Sequence, residues 1–427
     1  LLKNLRNGSL ISGSGVYLVA TLINASIPFL LLPILTRHFT PEEYGVVAVF
    51  QVWCSLLAVV CGLNSYGAAT RKHYDYDEPD KYMGDYIFSC VVILVISSLI
   101  VATFILLFLG PLSGVLGLSQ GWILSGILYA VGNFVVQLRL RQWQVRKKPI
   151  KYGQFQISQS ALNAGFSLFL VVVIAIGVDG RLIGITSAMI LFGGFGAFLL
   201  WRDNLLRFSW QPTLIKDALS FSVPLLPHFI GGFLLLTVDR AVISSVLGLE
   251  AAGHYMVAMQ LALALNLILQ SIHKAYVPWL FDRIKRDSPE EKRQIIKGTY
   301  IYFLGLVVIS LLAFLVGKPV LVFIAGENYE PAGEIIGWLV LAQAILGMYY
   351  MVSSYLIYAK KTQQMSKITI VSGAVNITLL LTLLEAYGLV GAAWAMCAGA
   401  IVQFLSTWYM ASRVIAMPWS PMKIFLR

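Results

Sequence analysis

The stretch VVILVISSLIVATFILLFL, Val91 to Leu109, runs through nineteen residues without a charge. A helix needs about 20 apolar residues to cross the hydrocarbon core of a bilayer, so this segment reads as the heart of a membrane span over 83–109. Working outward, comparable stretches lie at 10–35, 43–63, 119–138, 153–177 and 182–201, then at 218–246, 251–280, 298–317, 332–357, 366–384 and 388–411. The expectation is an all-α polytopic membrane protein with twelve transmembrane helices. An outer-membrane barrel would instead show segments of about 10 residues alternating apolar and polar. Composition agrees: of 427 residues, 58% are hydrophobic and 12% charged, with mean hydropathy +0.79. Soluble domains carry about 25% charged residues, which excludes an ordinary soluble enzyme, a disordered chain and a secreted disulfide scaffold. The first stretch is too long for a signal-peptide core and lacks a clear cleavage site, so it is expected to remain a membrane helix.

The net charge of +11 reflects topology rather than nucleic-acid binding. With the N-terminus inside, 27 of the 31 Lys and Arg residues fall in inner loops and at inner helix ends, six of them in the 139–151 loop. Arg37, Arg181, Arg240 and Lys318 make up the outer set. Cytoplasmic loops carry this excess, which places both termini in the cytoplasm. Trp201, Trp279 and Trp408 fall at inner helix ends, and Trp122 and Trp338 at outer ones, as an interfacial belt requires. Cys54, Cys61, Cys90 and Cys397 all lie within apolar spans and read as small packing residues.

Two motifs recur in order. Gly45 aligns with Gly253, bringing Glu42 onto Glu250 and Val49 onto Val257, at an offset of 208. Lys147-Lys148 precedes Asn163 as Lys360-Lys361 precedes Asn376, at an offset of 213, and each Asn leads towards a Gly-rich turn, Gly180–Gly184 or Gly388–Gly391. Nearly constant offsets argue for duplication. With six helices per half, the repeats would run parallel about an axis along the membrane normal. Residues 1–207 are then the N-lobe with helices 1–6, and 208–427 the C-lobe with helices 7–12. A cavity between them is the default substrate site, lined mainly by helices 1, 2, 7 and 8. Pro28 and Pro33 in the first helix, with Pro224 and Pro227 in the seventh, mark bending elements in corresponding positions.

No Walker A, GxGxxG, HExxH or GxSxG pattern occurs. Asp75-Tyr76-Asp77 resembles a glycosyltransferase DxD, but it sits in a charge-rich loop and reads as solvated surface. Neither a cofactor nor a metal is expected, and transport is the simplest remaining class. Embedded ionisable residues are functional candidates by default: Asp239 and Arg240 deep in the seventh span, Arg37 at the outer end of the first, Arg139, Arg141 and Lys274 at inner ends, and Arg71 just beyond the second helix. The balance is positive, which suits an anionic substrate. His228 and His254 read as packing or interfacial residues.

The strings Leu35-Thr36-Arg37 with Thr40-Pro41-Glu42-Glu43-Tyr44-Gly45, Val238-Asp239-Arg240 with Gly253-His254-Tyr255, and Tyr358–Thr362 leading to Asn376 and Gly388–Ala393 resemble polysaccharide flippases. His254 here precedes the Tyr that usually follows the family's Gly directly. The resemblance is to the Wzx-like repeat-unit branch of the multidrug/oligosaccharidyl-lipid/polysaccharide exporter superfamily. It implies a MATE-like fold of two six-helix lobes in the bacterial inner membrane. It also implies an undecaprenyl-diphosphate-linked oligosaccharide as substrate, with a polysaccharide polymerase and a chain-length regulator as partners. Arg37, Arg71, Arg139, Arg141, Arg240 and Lys274 would bind the substrate, and Asp239 would serve if an ion couples. The competing expectations are a multidrug cation antiporter of the same fold, which would want acids in its cavity, and a membrane polymerase or ligase, which would want a large external loop.

Overall fold

The computed structural model describes residues 8–75, 79–359 and 361–420, and among them every regular element is a helix. Tyr76, Asp77, Lys360 and the side chain of His228 lie outside the described residues. The helices are α1 (Gly8–His38), α2 (Pro41–Val60), α3 (Ser65–Lys72), α4 (Pro79–Leu107), α5 (Leu109–Leu116), α6 (Gln120–Val145), α7 (Pro149–Leu168) and α8 (Gly177–Arg202). They continue with α9 (Pro212–Ser222), α10 (Leu226–Leu236), α11 (Asp239–Leu247), α12 (Leu249–Arg286), α13 (Pro289–Ala325), α14 (Ile336–Tyr358) and α15 (Thr362–Val414). Nine helices among the described residues are long and apolar enough to cross a membrane. Large apolar side chains on their surfaces, such as Ile100, Leu107, Leu304, Leu315 and Phe323, are exposed. Water would penalise such a surface, whereas lipid tails do not.

The Thr-Pro-Glu-Glu string explains where α2 begins. Thr40 Oγ1 accepts from the Glu43 backbone N–H at 3.2 Å, and the Thr40 N–H donates to Glu43 Oε2 at 2.9 Å. Pro41 fills the first helical position, where a missing N–H costs nothing. The two final apolar stretches run as one helical element, α15, interrupted at Gly388 with φ 58° and ψ −141°.

The seventh stretch is the one that departs from a continuous helix. A 3₁₀ turn at Val223–Leu225 separates α9 from α10, and Thr237 leaves helical geometry at φ −137° before α11 starts. Pro224 and Pro227 supply no backbone donor, so rungs of the helical ladder are missing where the break occurs. Asp239 Oδ1 accepts the Arg240 backbone N–H at 2.9 Å, and its carboxylate sits at the positive end of α11. Asp239 and Arg240 therefore stand at a helix start and not in mid-helix.

By contacts the chain divides into two compact units, Leu1–Ser245 and Val246–Arg427. In the first, α6, α7 and α8 enclose a core of Val136, Leu140, Trp143, Phe155 and Met189. Here α9 packs on α3 and α4, and α10 on α2, so the segment after 207 joins this unit by contact. Contact grouping is a different property from a sequence repeat. In the second unit, α12, α13, α14 and α15 surround Phe303, Leu306, Met348 and Phe404.

One packing device occurs in both units. A Cβ on Gly184 would fall 2.3 Å from Ser167 Oγ and 2.8 Å from the Ser167 backbone N, and one on Gly180 would fall 3.0 Å from the Leu170 carbonyl carbon. In the second unit a Cβ on Gly391 would meet Leu383 O at 2.2 Å, and one on Gly399 would meet the Asn376 Cβ at 3.0 Å. Small residues at such spacing let membrane helices approach closely. They do so here beside the two asparagines of the sequence repeat, Asn163 and Asn376.

Candidate anion site

The close approach of α8 to α7 carries Arg181, one turn into α8, against the side of α7. Arg181 Nη1 donates to Asn163 Oδ1 at 2.8 Å and to Ser167 Oγ at 2.7 Å. The residue is 7% exposed, and its Nε has no hydrogen-bond partner. Tyr44, from the first turn of α2, and Tyr129, from α6, both lie within electrostatic reach of its guanidinium. The neighbours are an amide and hydroxyls, and no salt bridge to Arg181 is present among the described residues. Burying a charge is costly unless it is paired, so a buried guanidinium among neutral groups has the chemistry to pair with an anion that reaches it.

Arg240 lies within electrostatic reach of one of these tyrosines, Tyr44. Its charge acts on the same Tyr44 hydroxyl as that of Arg181, and its Nε is also buried without a partner. Asp239 beside it is 8% exposed. Each of these arginines keeps one buried donor without a partner, and an arginine donor can take a charge-assisted bond to a phosphate oxygen.

The other expected residues lie elsewhere. Arg37 is exposed in the last turn of α1. Arg71 is exposed at the end of α3, its guanidinium 5.2 Å from the Phe221 ring centre. Arg141 is exposed on α6, and Lys274 is exposed on α12 in the second unit. Arg139 is buried, bonded to Asp203 just after α8, with its guanidinium 4.1 Å from the centre of the Trp143 ring. Arg181 and Asp203 mark opposite ends of α8, about 33 Å apart at 1.5 Å per residue, which is about one hydrocarbon thickness. Lys318, of the sparse basic set, pairs with Glu330 at 2.9 Å. Sequence reading had placed Arg181 among the outer helix ends without a role. The signals that could have found it were Gly180-x₃-Gly184 around it and Asn163 one helix earlier.

Burial favours the neutral form of Asp203, but the Arg139 hydrogen bond and charge, helped by Lys151 and Lys148, hold its carboxyl below the usual range. The pair's contribution is then complete above the ordinary carboxylate pKa near 3.9 and fades as pH falls through the lower folded value. Asp203→Asn leaves Arg139 buried without its counter-charge, and is expected to cost about 2 kcal/mol at neutral pH. Thermal unfolding of both forms at neutral and acid pH checks this: the difference should shrink on acidification. A difference that persists in acid would contradict the assignment.

Comparisons with known proteins bear on the family and the fold. The family model described as "Polysaccharide biosynthesis protein" matches residues 10–284. The chain is 26% identical over 379 residues to "Lsg locus putative protein 1" of Haemophilus influenzae, covering 87% of this chain and 90% of that one. It is 23% identical to "Succinoglycan biosynthesis transport protein ExoT" of Rhizobium meliloti, over 74% of this chain and 63% of the other. It is 20% identical to "Probable low-salt glycan biosynthesis flippase Agl15" of Haloferax volcanii, over 88% and 78%. Among solved structures, the lipid II flippase MurJ in an inward closed conformation aligns with TM-score 0.74 at 14% identity, over 96% of this chain and 89% of that one. An inward-facing multidrug MATE transporter aligns with TM-score 0.69 at 14% identity, over 93% and 98%. These two share the all-helical fold.

Proposed function

Because the chain belongs to the family of polysaccharide biosynthesis proteins that matches residues 10–284, we propose that it flips a lipid-linked oligosaccharide. The substrate is an undecaprenyl-diphosphate-linked repeat unit, moved from the inner to the outer leaflet of the bacterial inner membrane for a surface polysaccharide of the O-antigen type. Alternating access between an N-lobe, 1–207, and a C-lobe, 208–427, would carry it, with both termini in the cytoplasm and helices 1, 2, 7 and 8 lining the route. The observation that supports this reading is Arg181, buried among neutral partners, with Arg240 within electrostatic reach of the same tyrosine. Such a site suits a diphosphate and disfavours the cation of a multidrug antiporter.

Arg71, Arg141 and Lys274 attract the diphosphate at the basic helix ends, Arg181 and Arg240 hold it in passage, and Arg37 acts at release. Arg139, its charge held by Asp203, stands outside this path. Polar and aromatic side chains pass the glycan while the polyprenyl tail stays in lipid. No bond of the substrate is broken, so the protein acts as a transporter and not as an enzyme. Each negative charge moved outward across an inside-negative membrane releases about 2.3 kcal/mol per 100 mV. An ion-coupled step is energetically optional, and Asp239 is the residue that would serve it. A polymerase and a chain-length regulator would take the exported unit.

A strain lacking the protein should accumulate the lipid-linked repeat unit on the inner leaflet and lose the surface polymer. If neither happens, the flippase reading fails. In that strain Arg240→Gln should reach normal membrane levels yet export at least about tenfold less, for roughly 1.5 kcal/mol of lost charge-assisted bonding, and Arg240→Lys should recover part of it. Asp239→Asn separates the roles. If Asp239 and Arg240 are only a structural pair, both single variants lower protein levels and the double variant restores them.

A further inference from the structure

At the basic end of α6, α7 and α8, wholly within the first unit, lies a pocket of about 260 Å³. Its floor is Arg139 and Trp143, which are 1% and 4% exposed, and its rim carries Lys151, Arg202 and Asp203. Phe192 and Phe195 form an apolar wall. Two buried donors here have no partner, Arg139 Nε and Trp143 Nε1. Asp203 is the one acid in the lining and is already bonded to Arg139. The lining therefore holds three cations against one carboxylate, with Lys148 within electrostatic reach of that carboxylate.

We propose that this pocket binds the phosphate headgroup of an anionic glycerophospholipid from the cytoplasmic leaflet. The two orphaned N–H groups would meet phosphate oxygens, and Lys151 and Arg202 would close over them. Exposed Leu191, Phe195 and Phe198 on α8 offer the acyl chains an apolar track leading away from the charged end. Basic pockets between helices on the cytoplasmic side recognise acidic headgroups in this way. A volume below the usual 300–1,000 Å³ of ligand cavities suits a headgroup and is too small for an oligosaccharide. The carrier lipid of the proposed substrate also bears phosphate. However, its glycan would have to pass over Lys151 and Arg202, so the pocket is assigned to the bulk phospholipid. This assignment rests on the orientation set by the basic loops and not on transport.

Native mass spectrometry of the purified full-length protein tests it, titrating phosphatidylglycerol, phosphatidylcholine, inorganic phosphate and undecaprenyl phosphate in turn. Phosphatidylglycerol should be retained at least about tenfold better than phosphatidylcholine, which has the same phosphate but no net charge. Inorganic phosphate, without acyl chains, should not displace it. The Lys151→Gln/Arg202→Gln variant alters two exposed side chains and should fold normally. It should bind phosphatidylglycerol about 30-fold more weakly, at about 1 kcal/mol for each basic residue near an anionic surface. Trp143→Phe keeps the ring and removes one donor, and should lose part of the preference. Equal retention of the two phospholipids, or an unchanged double variant, overturns the proposal. Displacement by undecaprenyl phosphate at equal concentration reassigns the pocket to the carrier and overturns the phospholipid claim. Because binding is read without transport, failure here leaves the flippase reading standing, and failure of export leaves this result standing.

Discussion

Arg181→Gln is expected to remove export almost completely while leaving the protein in the membrane at its normal level. The native guanidinium is buried against Asn163 and Ser167, and its Nε is unused. Two charge-assisted bonds to a phosphate oxygen are worth roughly 3 kcal/mol, so their loss should slow transport about a hundredfold. Folding should not suffer, because glutamine can still bond to the amide and the hydroxyl while a buried charge disappears. A structural arginine would behave in the opposite way, with stability falling and residual export tracking protein level. Arg181→Lys keeps the charge without the planar fork and should recover export in part. Surface polymer measured at matched membrane levels, alongside thermal unfolding in detergent, separates the two cases. Normal export by Arg181→Gln would end the argument for this site.

The second large effect falls on the scaffold. Gly184→Val places a branched side chain where even a Cβ would lie 2.8 Å from the Ser167 backbone nitrogen. Backbone cannot swing aside as a long side chain can, so α8 must leave α7. That separation should cost at least about 3 kcal/mol, the upper part of the range for overpacking. Ser167→Ala combined with Gly184→Val removes the contact with Oγ but not the one with the backbone, and should recover little. Near-ultraviolet circular dichroism during thermal unfolding provides the measurement. Export should fall with it even in the surviving folded fraction, since the same approach positions Arg181 beside Asn163. A variant that unfolds like the parent would show that α7 and α8 can separate freely, and the built character of the site would be lost.

How much of this was legible in the chain differs from element to element. The Val91–Leu109 run could be read directly, because crossing a bilayer demands an unbroken apolar length and α4 supplies it as far as Leu107. The start of α2 was legible for a local reason: Thr40, Pro41 and Glu43 fix it through contacts three residues apart. The seventh stretch was only half legible. Its prolines announce bending, but hydropathy is blind to Thr237, where the helix stops, and so the sequence places Asp239 in mid-helix and not at the first residue of α11. Arg139 was identified as a basic helix end, yet its partner Asp203 lies 64 residues on, and no periodicity links them. Arg181 was the hardest of all. Its neighbours come from α2, α6 and α7, and its burial follows from two glycines in its own helix, so neither its charge nor its place near a loop revealed it. Charge counting yields an expected orientation of the helices, but it cannot distinguish an arginine at the surface from one folded inside.

The neutral company of Arg181 has a kinetic meaning. A guanidinium keeps its proton throughout the physiological range, so a site built on it has no proton to exchange and cannot be unloaded by titration. Asn163 and Ser167 supply another means of release. Whenever the anion leaves, their oxygens are at 2.8 and 2.7 Å to take back the Nη1 donor. If the proposed anion draws on Nη1 as well as the free Nε, the amide and the hydroxyl would act as a built-in competitor, tethered at high effective concentration, that keeps a multiply charged ligand from becoming trapped. Affinity would then be traded for turnover within one helix pair, with the rate of letting go set by how closely α7 and α8 are held together.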